Sequence, residues 1–324
     1  MKKVRTEDSV GMVLCHDLTQ IIKDEYKGAR FKKGHIVKKE DIDVLLSMGK
    51  EHLYVWENDD SMVHENDAAR ILIEIAKGEN TNYNNVVSEG KITLTSQIDG
   101  LLKIDTDLLY KLNSVDMVMM ATKNNNIAIE KYSPILSTRV IPLVVKKELM
   151  EKCKDIAKDK KVAKVIPFRK LKATMIATGE EILKGRIKDN FSPVLKEKVK
   201  KFNTEITDVI YPGDNVDIIK ENIDKAIENG ADVVFCTGGM SVDPDDNTPL
   251  AIRKSSSKVI TYGAPVLPGA MFMLAYKNDI PIIGLPGCVM YSKKTVFDLV
   301  YPLIAAGEKP TKDYIVRLGE GGLL

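Results

Sequence analysis

Three acids within four residues, Asp243, Asp245 and Asp246, stand in the run Thr237-Gly238-Gly239-Met240-Ser241-Val242-Asp243-Pro244-Asp245-Asp246-Asn247-Thr248-Pro249. One carboxylate ahead of a helix is a routine cap, worth a few tenths to about 1 kcal/mol through the helix dipole. Three in so short a span repel one another and exceed what capping needs, so they point to a hard cation such as Mg²⁺. Just before them, Gly238 and Gly239 let the main chain approach a ligand closely and aim successive N–H groups at a phosphate. Ser241 adds a hydroxyl donor. A second loop, Thr178-Gly179-Glu180-Glu181, is followed by Lys184-Gly185-Arg186-Ile187-Lys188-Asp189-Asn190 and offers two carboxylates and three cations around a tight turn. A third, Gly284-Leu285-Pro286-Gly287-Cys288, gives a fixed turn leading into helix N–H groups, which suits phosphate. Between them, Tyr262-Gly263-Ala264-Pro265-Val266-Leu267-Pro268-Gly269 reads as a rigid turn at the same sheet edge.

These loops need elements to hold them. From residue 171 onward, short apolar runs alternate with amphipathic helical patterns, the signature of βαβ units around a parallel sheet. Residues 172–177 read as a buried strand and 205–211 as a second, with a helix between them capped at Ser192-Pro193. Asp214 or Asn215 caps the next helix, whose apolar stripe is Val216, Ile219, Ile223, Ala226 and Ile227, and Gly230 closes it. The strand 231–236 is apolar on both faces and so belongs in the middle of the sheet. Thr248-Pro249 opens a further helix, 259–262 and 280–285 read as strands, and 289–306 reads as one long helix closed by Gly307. In such sheets ligands bind outside the carboxyl ends of the strands, where all of these loops would lie.

The first half lacks that rhythm. Short helices are expected at 41–48 and 68–77, ended by Gly49 and Gly78, and strands at 115–121 and 127–129 flank Asn124-Asn125-Asn126. Ile92 and Leu94 alternate toward a hairpin turn at Asp99-Gly100. Residues 146–172 hold ten Lys and one Arg against four acids. Met150, Cys153, Ile156 and Ala157 still form an apolar face there, so this is a connecting helix with a solvated side rather than a nucleic-acid patch. The domain expectation is 1–165, an α+β, β-rich region divisible near 1–80 and 85–145 with a helical connector, followed by 166–324.

Composition narrows the function classes. In 324 residues, 44% hydrophobic and 29% charged, the chain has the balance of a globular protein. With 48 Lys plus Arg against 46 Asp plus Glu, its net charge is +2, which argues against a protein built to coat nucleic acid or anionic membrane. The N-terminus has no apolar stretch after its lysines, and no apolar run reaches membrane-spanning length, so a cytoplasmic location is expected. Cys15, Cys153, Cys236 and Cys288 show no CxxC spacing and read as buried free thiols. The four histidines, His16, His35, His52 and His64, form no ligand-spaced pair and receive no catalytic role.

Taken together, Thr178-Gly179-Glu180-Glu181, Gly185 with Ile187-x-Asp189-Asn190, Thr237-Gly238-Gly239-x-Ser241-Val242 with Asp245-Asp246, Pro268-Gly269 and Gly284-Leu285-Pro286-Gly287 resemble, in order and spacing, the molybdopterin-binding domain shared by the MogA, MoeA and gephyrin proteins. The likeness covers about residues 171–307. The strings at 237–249 and 262–272 are most similar to stand-alone MoeA-like proteins. The resemblance implies an α/β fold, a three-layer Rossmann-like, doubly wound, mostly parallel sheet of the MogA kind. It also implies a function in molybdenum cofactor biosynthesis. In the MoeA branch that is Mg²⁺-dependent insertion of molybdate into adenylylated molybdopterin with release of AMP, the reaction of a molybdopterin molybdotransferase.

Carried onto this chain, the cofactor-binding set implied is Thr178, Gly179, Asp189, Asn190, Thr237, Gly238, Gly239, Ser241, Pro268, Gly269, Gly284, Pro286 and Gly287. Glu180, Glu181, Asp245 and Asp246 would be catalytic, and Asp243, Asp245 and Asp246 would hold metal. The chain departs from the MoeA pattern at three points: Ala270 follows Pro268-Gly269 where lysine is usual, Asp189 replaces Ser, and Cys288 replaces Asn. Its first half does not resemble MoeA lid domains. Two alternatives therefore stand beside the transferase: a non-catalytic carrier or regulator of the pterin, and a CinA-like pyrophosphatase. The implied partners are molybdopterin or its adenylylated form, molybdoenzymes or other cofactor-assembly proteins, and further copies of the chain in a homo-oligomer, with neither nucleic acid nor membrane.

Overall fold

The computed structural model describes residues 1–22, 25–56, 60–87, 90–141, 143–241, 243 and 246–324. The chain divides into two compact units. Unit 1 comprises 1–97, 103–125 and 131–165; unit 2 comprises 98–102, 126–130 and 166–324.

Unit 1 is assembled from small antiparallel sheets and helices. Val4, Leu14, Leu18, Phe31, Val37, Leu45, Leu53 and Val55 form one buried cluster, drawn from the paired strands Lys2–Arg5 and His52–Val55, the paired strands Leu18–Ile22 and Tyr26–Phe31, the helix Asp41–Ser47, and the connecting residues Leu14 and Val37. A four-stranded antiparallel sheet runs in the order Thr81–Tyr83, Ile92–Ser96, Pro134–Val140, Val118–Thr122. Alternating burial along Ile92–Ser96 is the period-2 pattern of a sheet with one covered face. The helix Lys147–Ala157 packs against both Glu65–Ala76 and Thr106–Asn113, burying Met150, Cys153 and Ala157.

Several local expectations change here. Asp99-Gly100 closes no hairpin: Ile92–Ser96 pairs with its sheet neighbours, whereas Gly100–Ile104, buried at four of five positions, pairs with Ile127–Ile129. Gly78 is not a left-handed helix stop; it is glycine because a Cβ would collide with the Ala163 carbonyl oxygen. The helix expected at 68–77 starts at Glu65, capped by the His64 ring accepting from the Asn66 N–H at 3.1 Å. Histidine is not among the residues that usually announce a helix start. The helix Thr106–Asn113, capped by Asp105, was not legible from its pattern.

Unit 2 contains β1 (Leu171–Ala177), α1 (Glu180–Leu183), α2 (Phe191–Lys200), β2 (Thr204–Ile210), α3 (Val216–Glu228), β3 (Val233–Thr237), α4 (Thr248–Ser255), β4 (Lys258–Tyr262), β5 (Met273–Lys277), β6 (Ile280–Leu285), α5 (Val296–Ala305) and α6 (Lys312–Arg317). The six strands form one sheet in the order β2-β1-β3-β6-β5-β4, parallel except for β5. Alternate strand residues feed two cores. Met175, Phe235 and Ile283 join Leu195 and Val199 of α2 and Phe297 and Tyr301 of α5 on one face. Ile176, Val234 and Ile282 join Ile219 and Ile223 of α3 and Ile252 of α4 on the other. The result is the expected three-layer, mostly parallel α/β fold.

The single helix read at 289–306 is two pieces, a four-residue 3₁₀ turn, Gly287–Met290, and α5. Thr295 and Asp298 form a capping box that starts α5 afresh, giving the backbone a better local bond than continued helix. β5 was missed, although its continuous apolar run is of the same kind as that of β3. The Ser192 hydroxyl is not the cap of α2; that role falls to the Asp189 carboxylate, which accepts from the Phe191 N–H at 2.8 Å and the Ser192 N–H at 3.0 Å. Asn215 rather than Asp214 caps α3. Cys15, Cys153 and Cys236 are buried free thiols as expected, whereas Cys288 is only half-buried. No helix among the described residues is long and apolar enough to cross a membrane.

Candidate functional site

The chain leaves β1 toward the face carrying α2, and leaves its neighbour β3 toward the face carrying α4. Loops that diverge from adjacent parallel strands open a crevice between them. Here that crevice is a cavity of about 490 Å³, walled by the ends of β1, β3 and β6.

The first two loops are bonded directly to each other. The Thr178 N–H donates to the Thr237 carbonyl at 2.8 Å. The Thr248 hydroxyl donates to the Gly238 carbonyl at 2.8 Å and stands 3.1 Å from the Thr178 hydroxyl, which is buried. Gly238 has φ +82°, and a Cβ there would collide with the Thr178 carbonyl oxygen, so this junction admits only glycine. The N–H groups of Gly239, Met240 and Ser241 donate to no other described residue, which leaves a short run of main-chain donors at the cavity. The Tyr262 hydroxyl fastens that run from behind, donating to the Met240 and Ser241 carbonyls, each at 3.2 Å. Burial first, then the nearby Asp246 charge, pushes the Tyr262 hydroxyl up, so it keeps its proton for these bonds.

The two first-loop glutamates separate. Glu180 points away, its carboxylate paired with Lys184 at 2.7 Å and its N–H donating to the Asp214 carboxylate at 2.8 Å. The hydrogen bond and charge of Lys184 hold the Glu180 carboxyl below its usual range. Glu181 lines the cavity. Asp189 lines it as well, with its oxygens occupied by the Phe191 and Ser192 N–H groups, the Ser192 hydroxyl, and the Tyr211 hydroxyl at 2.9 Å. Burial alone would raise its carboxyl; the Ser192, Tyr211 and Phe191 donors outweigh that and lower it.

Of the acidic run, Asp245 lies outside the described residues. Asp246 lines the cavity and closes a tight turn, its carboxylate accepting from the Asp243 N–H at 2.9 Å and its own N–H donating to the Asp243 carbonyl at 2.9 Å. Among the described residues no group of three or more His, Cys, Asp or Glu is placed to hold a metal ion. Of this acidic run, Asp246 alone among the described residues lines the cavity.

The residues singled out by sequence therefore divide. Thr178, Glu181, Asp189, Asn190, Thr237, Gly238, Gly239, Ser241, Asp246, Pro286 and Gly287 line the cavity. Gly179, Glu180, Asp243, Pro268, Gly269 and Gly284 are not among its lining residues. Gly284 acts from below, since a Cβ there would stand 2.5 Å from the Met240 terminal methyl that forms part of the floor. Gly269 is packed on Val296 of α5. The apolar wall of Met271, Met290 and the exposed Tyr291 was missed, and nothing in its spacing announced it.

Residues 174–306 match the family model described as "Probable molybdopterin binding domain", and residues 3–57 match a domain of unknown function. A molybdopterin molybdenumtransferase of Haemophilus influenzae is 29% identical over 161 residues, which cover 47% of this chain and 39% of that protein. A CinA-like protein of Petrotoga mobilis is 32% identical over 92 residues, 28% of this chain and 23% of that one. The matches thus span well under half the length of these relatives. The solved structure of the molybdopterin biosynthesis enzyme MoaB from Thermus thermophilus overlays with a TM-score of 0.37 at 18% identity, covering 41% of this chain and 91% of its own. Residues 174–306, the part of this chain that matches the molybdopterin-binding domain model, include every loop that walls the crevice at the ends of β1, β3 and β6.

Proposed function

We propose that the 166–324 domain binds molybdopterin and inserts molybdate into its adenylylated form, releasing AMP. The observation that carries this reading is the convergence of three strand-end loops on one cavity that offers unpaired N–H groups on one side and carboxylates on another. In this reading Gly238, Gly239 and Ser241 receive the phosphate-bearing end of the pterin, with Thr178 and Thr237 fixing their position. Asn190, Pro286 and Gly287 complete the slot, and Glu181 is the carboxylate of the first loop. Asp243, Asp245 and Asp246 hold Mg²⁺, which when bound neutralises charge developing on phosphate oxygens. Asp189 serves by fixing the start of α2 at the cavity wall.

The test is a turnover assay with adenylylated molybdopterin and molybdate, scored by AMP release and active cofactor. Replacing Asp245 and Asp246 together by Ala should abolish conversion while pterin binding persists; unchanged conversion would remove the acids from the mechanism. A specific observation favours a second reading, a carrier that binds without turnover. The loop ending in Pro268-Gly269 continues as Ala270-Met271 and brings a methionine, not a cation, to the cavity, where Lys188 is the one cation among the described lining residues. Tight pterin binding by calorimetry with no AMP release would select the carrier. Phosphate release from ADP-ribose would select the CinA-like alternative. With the transferase reading comes a cytoplasmic homo-oligomer, which sedimentation of the purified chain tests directly.

A further inference from the structure

Unit 1 contains a second cavity, of about 270 Å³, lined by His16, Asp17, Lys33, Glu65, Asn66 and Arg139 with an apolar rim. His16, Asp17 and Lys33 come from the segment matching the domain of unknown function, the others from far along the chain.

The bonding around this cavity leaves its two cations without an ion pair among the described residues. The His64 Nε2 lies 2.6 Å from the Cys15 carbonyl oxygen. A carbonyl only accepts, so that nitrogen carries the proton and Nδ1 is the acceptor, taking the Asn66 N–H at 3.1 Å and the Lys33 ammonium at 3.0 Å. Lys33 is therefore held by a neutral ring. Asp17 is turned to the main chain, accepting from the Lys33 N–H at 2.7 Å, and the Glu65 carboxylate packs against Gly90, where a Cβ would stand 2.5 Å from Oε2. Neither Lys33 nor Arg139 forms an ion pair among the described residues. Among the described residues the one side-chain hydrogen bond of Arg139 runs from Nε to the Val140 carbonyl at 3.4 Å. The His16 Nδ1 is buried without a partner among the described residues. Lys33, Arg139 and the His16 ring with its proton on Nδ1 are N–H donors that an oxyanion can use, in a hollow that Asp17 and Glu65 also line.

We propose that this cavity binds a small molecule through a phosphate or carboxylate group, gripped by Lys33 and Arg139 with His16 as the third contact. All four histidines and the single tryptophan, Trp56, lie in unit 1, and Lys33 Nζ stands 5.7 Å from the Trp56 ring centroid. Histidine ring resonances and Trp56 emission therefore read this site without interference from unit 2. The full chain is titrated with inorganic phosphate and, separately, acetate. The better probe should move the His16 and His64 rings and the Trp56 emission saturably with one shared dissociation constant, leaving His52 in place, and which probe is better identifies the anionic group. Arg139→Gln and Lys33→Gln should each weaken binding at least about tenfold, the loss of one charge-assisted contact. Arg139→Lys should recover part of the affinity, and the exposed unit 2 variant Lys225→Ala should leave these shifts unchanged. If neither anion moves His16 saturably, or if Arg139→Gln binds as tightly as the parent chain, the proposal falls.

Discussion

The two cavities of this protein are built from different materials. In unit 2 the walls are main chain: strand ends, glycine turns and a run of N–H groups, held by a topology in which β1 and β3 send their loops to opposite faces. In unit 1 the walls are side chains that meet only because several small sheets and helices pack together. The first kind of site is written in short motifs, because a glycine that must be glycine and a strand that must be apolar are local requirements. The second has no motif at all, since Lys33, Arg139 and His16 are each unremarkable where they stand in the sequence.

The largest effect that could break this contrast is at Gly238. Gly238→Ala places a Cβ on the Thr178 carbonyl at φ +82° and should cost about 3 kcal/mol in unit 2 and abolish pterin binding. Trp56 emission should be unchanged; hydrogen exchange resolved by residue checks both. If unit 1 loses protection to the same extent, the two units are one cooperative body and the contrast is only geometric. Next in size, Asp189→Ala removes a carboxylate that four donors share and should cost about 1–2 kcal/mol, the value of a lost helix cap, measured by chemical denaturation.

A smaller effect should separate the units by pH. Burial lowers the affinity of His16 and His64 for protons below the ordinary 6.5, so both are held neutral when folded. The unfolded chain then takes up protons first as pH falls. The stability these groups contribute is present above about 6.5 and is lost below it. Between pH 7 and 5.5 the urea midpoint read by Trp56 should drop, while unit 2, which has no histidine, should stay level. The smallest effect is Lys184→Ala. It removes an exposed pair with Glu180 and should leave denaturation and pterin binding indistinguishable from the parent; a clear loss of binding would return Glu180 to the site.

Much of unit 2 was legible in advance. Most of its strands, the stripe of α3, a cap at Asp214 or Asn215 and the three loops follow from local rules of period and turn. One failure there has a local reason, since Thr295 with Asp298 restarts α5; β5 was missed although its apolar run is of the same kind as that of β3. In unit 1 the individual strands were partly visible, but their partners were not. Ile92–Ser96 finds Pro134–Val140 some forty residues on, and an Asp-Gly step that suggests a hairpin joins strands that do not pair with each other.

The sequence by itself determined the α/β rhythm after residue 171, the positions where only glycine fits, and the placing of acids beside a phosphate-type turn, because each depends on a few neighbouring residues. Only the tertiary structure decided between Glu180 and Glu181, turned Asp189 into the anchor of α2, and supplied the wall of Met271, Met290 and Tyr291. It also brought Lys33, His16 and Arg139 around one hollow. The direction of a side chain and the company it keeps depend on packing between elements, which local rules do not encode.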